Sequence, residues 1–385
     1  MKKIFFTLFA CLTFINTFAI PKGPCDKDFD VCCEEPVPGP FAFSYSEDRD
    51  LPCPKGFYLG GEFLLMQVQE EGLEYAIAQE TGYEPEPDTT IYSLFPLTGG
   101  EIKGYSTGSK NWDWTCGSRV KMGFYTDKNK WNVEGMWTYI RINNDSGINP
   151  SNGGLIPLFL APSVLYGLYE GVQNMSASAR WTGNINIIEI NFGKPYHISR
   201  YVTFNPYFGI KSAHINQDFT ARYGGVFEAY PGRALKSATN LKTLFKNDFW
   251  GIGPKVGLKS DWLFGKNFSF LGNVAASILY SHFDVCQSIH IQDITYFQIK
   301  HDFYTNTPNV EIQMGLSWFC VFKEKTKFSL KVAYEMQRFW EMNRFRRFFD
   351  RDFATGQASA PSSNDEISKG DMNIHGFSFA VELDY

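Results

Sequence analysis

Six basic side chains stand at even spacings within otherwise apolar stretches: Arg119 and Lys121, Lys255 and Lys259, Lys327 and Lys331. On an extended chain, residues an even number apart share one face. Cations gathered on one face, opposite an apolar face, suit a wet passage in which they set ion selectivity. On that reading, charge reversal at Arg119 and Lys121 shifts the reversal potential of the open channel. The plainer reading is a wet lumen that tolerates charge without using it.

Cysteines offer a second chemistry. Of eight in the chain, Cys11 falls in an amino-terminal leader, which leaves an odd number. Cys25, Cys32, Cys33 and Cys53 crowd a proline-rich segment, and their spacing matches no tetrahedral zinc pattern. In an exported chain they are disulfide candidates, pinning the segment locally or linking it to other envelope proteins. Cys116 and Cys320 lie on apolar stripes and read as inert packing thiols.

Other side chains carry less. Arg338, Arg344, Arg346, Arg347 and Arg351 cluster among Phe and Trp. They suit lipopolysaccharide phosphates, a constriction at a barrel mouth, or a solvated loop paired with Glu341, Asp350 and Asp352. His282, His290 and His301 are too dispersed for a metal pattern, and no nucleophile elbow, phosphate loop or zinc-protease motif occurs. The expectation is no catalysis and no cofactor. The net charge of -5 gives no reason to expect a nucleic-acid partner.

The elements that must position these groups are strands. From Trp112 to Tyr125 one face reads Trp112, Trp114, Cys116, Ser118, Val120, Met122, Phe124, and the other carries Arg119 and Lys121. Trp250, Ile252, Val256, Leu258 and Trp262 alternate with Lys255, Lys259 and Asp261. Stripes through Val310–Phe322 and Phe328–Met336 repeat the pattern, and weaker versions begin at Phe57, Trp131, Ala179, Tyr201 and Phe268. Each is long enough to cross a bilayer at a tilt. Trp112, Trp114, Trp131, Trp137, Trp250 and Trp262 fall near strand ends, where an aromatic girdle meets lipid headgroups.

Lys2 and Lys3, the apolar run Ile4–Phe18 and the small residues around Ala19 have the order of an export signal. Residues 1–19 are read as that signal, 20–55 as a periplasmic arm or plug, and 56–385 as the barrel. Aromatics reach 17% and charged residues only 20%, with a mean hydropathy of -0.24. A membrane barrel combines these, because its apolar exterior and polar interior cancel in the mean. Short turns near 127–130, 193–200, 265–267 and 323–326 alternate with long segments near 70–111, 143–178, 215–247, 284–307 and 341–370. Short periplasmic turns and long extracellular loops follow. The fold expected is all-β: a transmembrane antiparallel barrel of about ten countable strands, with 12–16 if the long segments hide hairpins.

The final segment is the most specific local signal. Phe377, Phe379, Val381, Leu383 and Tyr385 alternate with small and acidic residues. An apolar strand of this kind is similar to the sorting signal of outer-membrane barrels, which implies a barrel assembly machinery as partner. It would close the ring and satisfy edge groups that lipid cannot.

Several passages resemble the major outer membrane protein-like porins of Legionella and Chlamydia-related bacteria. They are Gly56–Leu64 with Gly72–Ala76, Trp112–Met122, Tyr196–Phe219, and Trp250 through Phe264. The resemblance implies a porin-like barrel at the cell surface, assigns no catalytic residue, and does not cover the cysteine-bearing arm.

Together these readings predict an abundant outer-membrane protein, in contact with lipid and lipopolysaccharide, that passes small hydrophilic solutes by passive diffusion. The alternative is a structural or adhesive surface protein whose barrel is filled, disulfide-linked to envelope partners. A carrier for an apolar solute would need a greasy pocket and a plug. A homo-oligomer is compatible with all three.

Overall fold

The lipid-facing alternation legible in the sequence continues well past the membrane, but with its sign reversed. The structure, a computed structural model, describes residues 56–78, 101–105, 112–126, 131–148, 155–159, 176–199, 201–227, 238–264, 267–291, 294–322, 326–350, 363–367 and 369–384. The leader, the arm with Cys25, Cys32, Cys33 and Cys53, and terminal Tyr385 lie outside these residues.

Ten strands form the wall: β1 (Phe57–Glu70), β4 (Trp114–Tyr125), β5 (Asn132–Ile148), β7 (Ser176–Gly193), β9 (Val202–Phe227), β10 (Ala238–Leu263), β11 (Phe268–Ile291), β12 (Ile294–Phe322), β13 (Thr326–Asn343) and β16 (Gly370–Asp384). Each pairs antiparallel with the next, and β16 pairs with β1 to close the ring, for example Phe379 opposite Phe63. Closure leaves no open edge in lipid. Six short strands complete the described set: β2 (Leu73–Ala78), β3 (Glu101–Tyr105), β6 (Leu155–Pro157), β8 (Tyr196–His197), β14 (Arg346–Asp350) and β15 (Ser363–Ile367). The β3–β2–β6 strands and the β14–β15 hairpin form sheets of their own, not hydrogen-bonded into the wall, and β8 adds to β9.

Near the short-turn end the outward residues are apolar and exposed, as at Phe57, Leu59 and Phe63 on β1 and Trp250, Ile252, Val256, Leu258 and Trp262 on β10. Burying them in hydrocarbon, with polar partners inside, defines the membrane band. Beyond it the outward positions of β10 become Asp248, Lys246 and Lys242, while inward ones become Phe249, Phe245 and Leu241. The strand keeps its phase, but the two faces exchange character. On β9, Phe208 and Ile210 give way to His214, Asp218 and Arg222 outside, and Lys211 gives way to Ile215, Phe219 and Tyr223 inside. The upper barrel is thus an ordinary water-facing barrel with an apolar core, stacked on a membrane barrel of opposite polarity.

This inversion corrects the expected loops. Residues near 215–247 and 284–307 are mostly wall, running up β9 and down β10, and up β11 and down β12. Without the outward apolar stripe, the same strands look like irregular polar sequence. Among the described residues the wall has ten strands, and the described parts of the long segments either extend those strands or form short sheets of their own.

Candidate functional site: the barrel interior

Inward positions at membrane level carry a belt of charge. Arg119 donates to Glu62 at 2.7 Å and forks onto Glu335, and Lys121 also pairs with Glu62. Lys255 bridges Glu189 at 2.7 Å and Glu311 at 2.6 Å, and Lys211 contacts the same two carboxylates. Lys259 reaches Glu134 at 2.7 Å, and Lys331 reaches Glu382 at 2.8 Å. Among the described residues these are six cations and six carboxylates, so the belt is neutral. Charges taken out of water persist only when paired in this way.

The belt spans the lumen. Lys259 and Glu134 are separated in the wall by β7 and β9, and Arg119 and Glu335 by β1 and β16. A cavity of about 60 Å³ remains between Arg119, Lys121, Glu189, Lys255, Glu311 and Glu335, room for a few waters. Nearer the short turns, the Tyr58 hydroxyl lies 3.1 Å from both Asn132 Oδ1 and Glu134 Oε2, and Tyr207 donates to Asn273. Each ring lies over a glycine opposite, Gly123 and Gly257, where a Cβ would collide with it.

Above the belt the interior turns apolar and dry. Phe219, Phe249, Phe283, Phe339 and Phe345 have no water contact, and neither does Trp181. Phe245 packs on Phe345 with centroids 4.5 Å apart and on Phe159 at 4.9 Å. Phe249 meets Phe283 at 5.0 Å, and Trp112 meets Trp181 edge-on at 5.5 Å. Segments from the long connections complete this cap. A bulge between Phe339 and Asn343 puts Glu341 at φ 53°, with Asp371 accepting its N–H, and turns Met342 and Phe345 into the mouth. Asn247 donates to the Met342 carbonyl, Thr243 to that of Phe159, and Tyr223 to that of Tyr75. Burying each aromatic contributes about 1.5–3 kcal/mol, so the cap is a hydrophobic core, not a loose plug.

One ionisable group is held inside it. Glu70 ends β1, well past the lipid-facing run Phe57–Leu65, and is fully buried. Among the described residues neither carboxylate oxygen meets a partner at full hydrogen-bond geometry, and burial, against a smaller lowering pull from Gln217, pushes its pKa up to about 8. The carboxyl is therefore protonated at neutral pH.

All six basic residues singled out by spacing lie on the inward face. Arg119, Lys121, Lys255, Lys259 and Lys331 are held in the belt, and Lys327 lies over the Phe319 ring at 4.9 Å. Five of the six are paired with carboxylates around the small polar cavity of the belt. Glu62, Glu134, Glu189 and Lys211 were not singled out, although each sits on the inward phase of its strand. Counting both signs along that phase would have found them. Phe377, Phe379, Val381 and Leu383 are exposed on the outer face of the closing strand.

Trp114, Trp131, Trp137, Trp250 and Trp262 are exposed on the outer face, but Trp112 is buried and belongs to the cap. It precedes β4, where the chain has already turned inward. Of the arginine cluster, Arg338 pairs with Asp371, and Arg344 is buried over Phe283 and Phe303 while bonding Glu341. The described stretch through Arg344 and Phe345 folds into the barrel mouth, while Arg351 lies outside the described residues. Cys116, Cys286 and Cys320 are free thiols.

Among solved structures, the chain is similar to the outer membrane protease OmpT from Escherichia coli, at 8% identity and TM-score 0.42, covering 89% of this chain and 99% of that one. It is also similar to the Pseudomonas putida toluene transporter TodX, at 8% identity and TM-score 0.25, covering 90% and 91%. A third is a Pseudomonas aeruginosa FadL homologue, at 9% identity and TM-score 0.23, covering 86% and 90%. No curated protein matches. The family model described as the Legionella pneumophila major outer membrane protein precursor matches residues 50–384. The protein is an outer-membrane β-barrel, and it belongs to the Legionella major outer membrane protein family.

Proposed function

We propose that this chain is a structural, surface-presenting barrel of the outer membrane whose interior is sealed at rest. It catalyses nothing, because the interior charges are committed to one another and enclose only a few waters. The observation that carries this reading is the aromatic cap: Phe219, Phe245, Phe249, Phe283 and Phe345 meet above the belt with essentially no water contact. A ten-strand ring is narrow, and barrels of about eight strands are already filled by their own side chains. The arm bearing Cys25, Cys32, Cys33 and Cys53 would tie the barrel to envelope neighbours through disulfides. Only monomer on non-reducing, alkylated gels would remove that link.

Passive diffusion of small hydrophilic solutes is the second reading. It is favoured by the hydrated, two-signed belt at membrane level, and it requires the cap to leave. Swelling of liposomes carrying the purified protein, challenged with small sugars and amino acids, separates the two. The sealed barrel gives swelling no faster than empty liposomes, whereas rapid, size-graded swelling would establish diffusion.

A further inference from the structure

Above the membrane band, the outer face of β5, β7 and β9 carries a cross-strand grid. One row runs Asp145, Arg180, Thr220 and the next runs Gly147, Ser178, Arg222, each residue directly opposite its neighbour. These six residues line a surface cavity of about 380 Å³. Asp145 and Gly147 edge it, and four donors occupy the remaining square: guanidiniums at Arg180 and Arg222 on one diagonal, hydroxyls at Ser178 and Thr220 on the other. Diagonal positions on paired strands lie about 7–8 Å apart, a span over which two arginines can hold one tetrahedral anion between them.

The charges are arranged for this. Arg180 donates through Nε at 2.6 Å and Nη2 at 3.1 Å to Asp145, which anchors the guanidinium beside the cavity. The hydrogen bond from Arg180, then the charges of Arg180 and Arg222, hold the Asp145 carboxyl below its ordinary range. Arg222 is exposed and makes no hydrogen bond or ion pair among the described residues. Arg222 sets a second guanidinium beside the Arg180–Asp145 pair, and arginine's fork matches phosphate oxygens better than lysine does.

Height decides the ligand. From lipid-facing Trp137 to Asp145 along β5 the chain climbs roughly 20 Å, at about 3.3 Å per residue and a tilt of about 40°. That is too far for phosphates at the acyl boundary and within reach of the sugar layer of an outer-leaflet glycolipid. We propose that Arg180, Arg222, Ser178 and Thr220 bind a phosphate group on the saccharide of that glycolipid. The site is independent of whether the lumen is sealed.

The test is calorimetric titration of the detergent-purified full chain with phosphorylated lipopolysaccharide, dephosphorylated lipopolysaccharide and inorganic phosphate. Wild type should prefer the phosphorylated form by about tenfold or more, and Arg222→Gln should lose most of that preference. Arg222→Lys should restore it only partly, and Asp145→Asn should strengthen binding. The substituted residues are exposed, and unchanged heat-dependent gel mobility would show each variant folded. Equal affinity for the two lipopolysaccharides, or an Arg222→Gln variant that binds like wild type, would overturn the proposal. Binding of inorganic phosphate with no preference among lipopolysaccharides would overturn the saccharide as ligand.

Discussion

Arg119 on β4 and Glu335 on β13 join in a two-bond fork, Nη1 to Oε1 at 2.9 Å and Nη2 to Oε2 at 2.8 Å, although β1 and β16 stand between them in the wall. The fork is a chord across the lumen. Its neighbour Glu62 is shared with Lys121, so removing one member leaves another buried charge without its partner.

Arg119→Met should therefore cost about 3 kcal/mol or more, the range for breaking a buried pair. The double variant Arg119→Met, Glu335→Met should cost less than the sum of the two single variants. Urea unfolding in detergent, followed by tryptophan fluorescence, gives all three values. Strict additivity would show that the fork is not coupled.

Phe245→Ala empties the centre of the cap, where three other phenylalanines meet it. The expected loss is about 3–5 kcal/mol. Leakage of small solutes from liposomes should rise with it. A variant that is destabilised yet just as tight would place the seal in the charged belt.

Gly257 lies beneath the Tyr207 ring, so Gly257→Ala forces the ring aside and breaks its bond to Asn273. A loss of about 1–3 kcal/mol follows from such overpacking. Removing the ring as well, with Tyr207→Ala, should relieve the collision. A double variant additive in its two losses would contradict the contact.

Glu70 makes stability depend on pH. Folded, its carboxyl titrates near 8, whereas unfolded it titrates at about 4.3. The native state thus holds the proton more tightly. Its contribution is full below the unfolded value and fades as pH climbs towards 8. Wild type should lose thermal stability from about pH 5 to 8 relative to Glu70→Gln, whose profile lacks that limb. Parallel profiles for the two proteins would remove Glu70 as the titrating group.

The membrane half of each strand is legible because lipid imposes a period-two apolar stripe, and the run Phe377–Leu383 shows it plainly. The upper half is obscure for the same reason. At Asp248 on β10 and Asp284 on β11 the outward face becomes polar, and the phenylalanines move to positions that read as lumen. The six bases are visible because they interrupt apolar runs. Some of their carboxylate partners sit on the next strand, as Glu62 beside Arg119, but others lie across the lumen, such as Glu134 against Lys259, and only the closed ring brings those together. Trp112 misleads because a tryptophan near a strand end looks the same whether it turns towards lipid or core.

Single-channel recording in planar bilayers tests the sealed interior most directly. Purified wild type should insert without long-lived conductance steps, while Phe245→Ala should show them. Stable, stepwise conductance from the wild-type barrel at rest would contradict the account.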